Sequence, residues 1–157
     1  GGCFNACNDG NTCTDDSCVP VSGCIHAANA ASCNDGNPCT EGEVCGGGVC
    51  SGGSVITAPP ETGSLTAAAD KATYSWSPAA SATRYDVVRG EVGALPVGPG
   101  GSDEVCFDNL PGTSLVDASA PGAGAGFWYL SRGENACGNG SYGQRSDGSP
   151  RITTTCP

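Results

Sequence analysis

The sequence predicts an all-β protein built in two unlike parts. A small, disulfide-rich, irregular N-terminal domain spans residues 1–53, and a β-sandwich spans residues 54–157. Three observations carry this. Composition breaks sharply at the stretch SGGSV that begins at Ser51. Before the break a cysteine pattern is written twice. After it, short segments alternate apolar and polar residues between clusters of Pro, Gly and Asn.

Residues 1–53 hold nine of the 12 cysteines, six acids and no Lys or Arg. Their large apolar residues are Phe4, Val19, Val21, Ile25, Val44 and Val49. So few cannot form an ordinary core, and disulfides or metal must hold the segment instead. The duplication runs through Cys7, Cys13, Cys18 and Cys24 in the first unit and Cys33, Cys39, Cys45 and Cys50 in the second, with one residue inserted at Glu41-Gly42-Glu43. Cys3 stands outside it.

In the second part the alternating segments are Thr73–Ser77, Arg84–Arg89, Glu104–Asp108, Thr113–Asp117 and Phe127–Arg132. Strands of this length with turn signals between them form a sandwich. Helical periodicity is confined to Leu65–Ala72, a stretch too short and too weakly amphipathic to predict a helix.

Composition also bounds the setting. Cysteine at this density belongs to an oxidising compartment outside the cytosol. No run approaches the ~20 apolar residues of a membrane span. The sequence lacks methionine and starts Gly1-Gly2-Cys3, which reads as a mature secreted product. A formal charge of −10 excludes nucleic acid, whose phosphates select Lys and Arg. The same charge suits divalent cations, or simply solubility.

Two family resemblances follow from these residues. Trp76, the Tyr85-Asp86-Val87-Val88-Arg89 segment and the Phe127–Asn135 segment resemble a fibronectin type III domain. The ending from Ala136 to Pro157 is similar to a variant found in secreted bacterial proteins. The resemblance implies that Trp76 is core and that the tyrosine-bearing strands pack across the sandwich. It also implies that Cys137 and Cys156 lie on neighbouring final strands and pair. The CxDGNxCT units of residues 7–50 resemble cysteine-rich extracellular matrix repeats, such as those of slime-mould matrix proteins. Both resemblances imply extracellular modules.

In the repeated motif, Asp9-Gly10-Asn11 places two oxygen-bearing side chains around a glycine that permits a tight bend. Asp15 and Asp16 follow; the second unit offers Asp35, Asn37, Glu41 and Glu43. Carboxylate and amide oxygens gathered on a short loop are what Ca²⁺ prefers, although the spacing is not that of an EF-hand. These eight residues are the candidate calcium ligands. The competing reading is that Asp and Asn only form Asx-turns that shape the disulfide knot. Zinc held by cysteines is disfavoured, because secreted thiols oxidise and His26 is the sole imidazole.

Both parts hold odd numbers of cysteines, nine and three. With the repeats and Cys137–Cys156 paired internally, Cys3 and Cys106 are left over. A bridge between domains, a bridge between chains and a pair of free thiols all satisfy the count, free thiols being the least expected in a secreted protein. An arm-to-sandwich bond repeated head to tail gives a filament, and an open sandwich edge offers β-augmentation besides.

No nucleophile–base set, HExxH, phosphate loop or GxSxG motif is present. His26 reads as a loop residue and Gly122–Gly126 as a connecting turn. Trp128 is the tryptophan open to stacking on sugars, and Asn139-Gly140-Ser141 is a glycosylation sequon. The expectation is a non-enzymatic secreted structural protein, self-associating as a subunit of a disulfide-cross-linked, calcium-binding extracellular filament or surface matrix. The alternative is a non-catalytic adhesion or carbohydrate- or protein-binding module of a larger secreted protein. A third reading, a cysteine-rich protease inhibitor, lacks an obvious reactive loop.

Overall fold

The computed structural model describes residues 7–97 and 101–156. It is all-β, and the chain divides into two compact units, Gly1–Ile56 and Thr57–Pro157.

The first unit is three short antiparallel pairings on a sulfur interior. Strands β1 (Thr14–Val19) and β2 (Gly23–Ala28) form a hairpin in which Cys18 faces Cys24. Strand β3 (Thr40–Glu41) pairs with β6 (Ser54–Val55), and β4 (Val44–Gly46) with β5 (Val49–Ser51). The β4–β5 turn is Gly47-Gly48 with φ of 61° and 84°, the two left-handed residues that a twist-matched two-residue hairpin requires.

Among the described residues of this unit, Cys7, Cys13, Cys45 and Glu43 are buried. The aliphatics do not gather: Val21 is 95% exposed, and Ile25, Val44, Val49 and Val55 are exposed as well. Disulfides stand where a core would be. Cys7–Cys24 and Cys33–Cys50 each close one repeat, and Cys13–Cys45 stitches the first repeat to the second. Phe4 and Cys3 lie outside the described residues.

The second unit is a sandwich of a three-stranded and a four-stranded sheet. Strands β7 (Gly63–Ala67), β8 (Thr73–Ser77) and β11 (Ser114–Val116) lie in the order β11-β8-β7. Strands β9 (Arg84–Glu91), β10 (Val105–Leu110), β12 (Phe127–Asn135) and β13 (Gly138–Asn139) lie in the order β10-β9-β12-β13. All five alternating segments form strands, whereas the expected final strand bearing Cys156 does not. Leu65, placed on no element by periodicity, lies on β7. Gly122–Gly126 is a turn, closed by the Ala125 N–H on the Gly122 carbonyl.

Successive residues of a strand face opposite sides, and β9 uses both. Val87 points inward with Trp76, Tyr85 and Leu115 to form the core, where Trp76 is 5% exposed as expected. Val88 points outward and is covered by Tyr142 and Cys156 of the C-terminal stretch. That stretch crosses the back of the sheet rather than lying beside β12 as a long final strand. The expected Cys137–Cys156 bond therefore does not form. Cys106 stands opposite Val88 in the register and takes Cys156 instead. Cys106 is thus not left over. Cys18, Cys39 and Cys137 are disulfide-bonded too, and no described cysteine is free.

Candidate functional site: the acidic turns of the repeats

The two DGN motifs build the same turn. Gly10 and Gly36 adopt φ of 75° and 82°. In the first, Asp9 Oδ1 accepts the Asn11 N–H at 2.8 Å and the Thr14 hydroxyl at 3.0 Å, while Asn11 Oδ1 accepts the Cys13 N–H at 2.9 Å. In the second, Asp35 Oδ1 accepts the Asn37 N–H at 2.8 Å and the Thr40 hydroxyl at 3.3 Å, and Asn37 Oδ1 accepts the Cys39 N–H at 3.0 Å. These are stacked Asx-turns, and each delivers a cysteine in a fixed direction. Asn11 also donates its amide to the Gly48 carbonyl at 2.8 Å, tying the first turn to the β4–β5 hairpin.

The eight predicted ligand residues do not converge on one point. Asp9 and Asp16 meet. Asp15, on the other face of β1, accepts the Asn29 amide at 2.9 Å. Asp35 and Asn37 stay in their turn, Glu41 is exposed on β3, and Glu43 is buried with its Oε1 lacking a hydrogen-bond partner among the described residues.

The residue that sequence reasoning missed is His26. It is not in a loop but on β2, directly opposite Asp16. Its Nδ1 lies 2.5 Å from Asp16 Oδ1 and 3.4 Å from Asp9 Oδ2. The Asp9 N–H donates to the other Asp16 oxygen at 3.0 Å. The hydrogen bond to Asp16 raises the His26 pKa above its ordinary value, and the Asn11 N–H holds the Asp9 carboxyl below its own. The signal was present in the spacing: Asp16 and His26 are each two residues outside the facing Cys18 and Cys24.

The sandwich carries its own polar groups. Asp86 is wholly buried, and Arg132 Nε and Nη2 donate to its Oδ2 at 2.9 and 2.8 Å. Burial raises the Asp86 pKa despite that partner. On the far side a cleft of about 430 Å³ is lined by Lys71, Tyr74, Phe127 and Tyr129 among others. The Tyr74 and Tyr129 rings stack at 4.0 Å, and Tyr129 donates its hydroxyl to Asp117. Trp128 is half-buried beside Val88, and its indole N–H donates to the Glu91 carbonyl, which fixes the orientation of the ring. Asn139 is exposed on β13.

Residues 6–28 and 32–41 match the family model described as the Dictyostelium (slime mold) repeat. No curated protein and no solved structure matches the chain. Repeat and disulfides together are compatible with an extracellular or surface protein of structural or adhesion type. No helix among the described residues is long and apolar enough to cross a membrane.

Proposed function

We propose that the chain is a non-catalytic secreted structural module of an extracellular surface matrix, working as a subunit of a disulfide-linked filament. The carrying observation is the Cys13–Cys45 bond between successive repeats. It joins the second cysteine of one unit to the third of the next within one chain, which makes the two repeats a single cross-braced element of the kind a matrix subunit needs. Cys106 is excluded as the interchain link by its bond to Cys156. The order β11-β8-β7 against β10-β9-β12-β13, with Trp76 in the core, supports a fibronectin type III-like reading of the sandwich.

Calcium belongs to this proposal through Glu43. A carboxylate oxygen buried without a hydrogen bond, in a unit with no Lys or Arg, calls for a cation. Calorimetry with Ca²⁺ on the protein and on Glu43→Gln tests this. Heat from the parent that the variant loses supports calcium, and no heat at millimolar Ca²⁺ rejects it.

Non-reducing electrophoresis of native material tests the filament. A ladder that collapses to one band with reductant supports it, whereas a single monomer band in both lanes rejects it. The second reading, a carbohydrate- or protein-binding adhesion module, is favoured by the Tyr74–Tyr129 cleft. Loss of surface attachment in Tyr74→Ala with the fold intact would support it.

A further inference from the structure

We propose that Asp9, Asp16 and His26 form a binding site for one divalent metal ion of the zinc class. This rests on neither the calcium reading of Glu43 nor the filament. Three donor atoms, one from each residue, lie within 4.8 Å of one another. Imidazole nitrogen with carboxylate oxygens is the donor set of zinc and its borderline neighbours, whereas calcium takes oxygen alone.

The geometry suits such an ion. Ligands 2.0–2.1 Å from a tetrahedral metal stand about 3.3 Å apart, and His26 Nδ1 lies 3.4 Å from Asp9 Oδ2. The closer Asp16 oxygen, at 2.5 Å, needs to retreat by less than about 1 Å. Both carboxylates are oriented by their remaining oxygens. Asp9 Oδ1 is held by the Asn11 N–H, and Asp16 Oδ2 by the Asp9 N–H. Such outer partners fix ligands in metal sites. The three residues are exposed, which leaves further positions open to water.

The second repeat separates this role from the structural one. Asp35 makes the same turn with the same partners, so the turn needs no imidazole. Counting from Cys50 as from Cys24, the position of His26 is held by Gly52. Only the first repeat has the nitrogen donor. Residues 1–56 contain no Lys or Arg, and among the described residues His26 is the basic group beside Asp9 and Asp16, a place that a proton on the ring or a metal displacing it would fill.

The test is titration of the intact, oxidised protein with Zn²⁺ at neutral pH, followed by calorimetry and by the His26 ring resonances. One equivalent is expected to bind, with the Nδ1 signal shifting stoichiometrically. His26→Ala and Asp16→Asn should weaken binding at least tenfold, and Asp35→Asn should leave it unchanged. Affinity should fall as acid protonates His26. No shift of the ring signal in the parent protein at millimolar Zn²⁺ overturns the proposal without any variant. So does binding that His26→Ala, folded by circular dichroism, fails to reduce.

Discussion

Replacing Arg132 by glutamine strands the Asp86 carboxylate inside the sandwich. The two groups are 2.8 Å apart, and Asp86 has no exposed surface. At an effective dielectric of 20 their attraction is about 6 kcal/mol, most of it offset by the cost of taking both charges out of water. Removing one partner leaves that cost uncompensated, so the expected loss is roughly 3–5 kcal/mol. Against a typical total of about 5–15 kcal/mol this is a large share.

Burial already raises the Asp86 pKa. A carboxyl whose folded pKa lies above its unfolded one gains stability as pH falls and loses it as pH rises through the folded value. Without Arg132 that pKa climbs further, so the penalty of Arg132→Gln should shrink on acidification. Both tryptophans lie in this unit, so urea unfolding followed by their fluorescence reports on it alone. A loss under about 1 kcal/mol at neutral pH would refute the argument, as would one that stays constant down to pH about 5. Asp86→Asn in the Arg132→Gln background should recover much of the loss.

Two further outcomes are expected. The Cys106–Cys156 bond spans 50 residues, which in the chain-entropy model stabilises by about 4 kcal/mol, against about 3 for the 17-residue span of Cys33–Cys50. Serine at both Cys106 and Cys156 should therefore lower the fluorescence-detected melting midpoint by more than about 15 °C, and an unmoved midpoint would contradict this. In metal-free protein the His26 ring should titrate above 6.5, because Asp16 holds its charged form. The stability it adds is complete below the unfolded value and is lost as pH rises through the folded one. Asp16→Asn should bring that titration down; a ring that titrates at 6.5 in the parent protein would show the pairing absent in solution.

The strands of the sandwich were legible because alternation is a local property, written in runs such as TYSWS and RYDVV. Strand β7 was not, since GSLTA carries no period, and its place is set by pairing with β8. Strand β13, two residues long, is too short to leave a pattern. Cysteine parity counts sulfurs without choosing partners. Cys156 meets Cys106 because the C-terminal stretch folds over the outward face of β9, a choice made by Val88 and Tyr142 rather than by neighbouring sequence. In the front unit the DGN motif was legible, and the structure spends its inner oxygens on turns. The Asp16–His26 pairing was derivable from the hairpin register but needed the hairpin to be recognised first.

In each repeat the first and fourth cysteines close on themselves, while Cys13 reaches forward to Cys45. Such units behave like stitches in knitting: each loop is knotted, and one thread passes through its successor. Peptide cleavage between Cys13 and Cys45 leaves the pieces sewn together, so toughness against proteases is written into the order of the sulfurs.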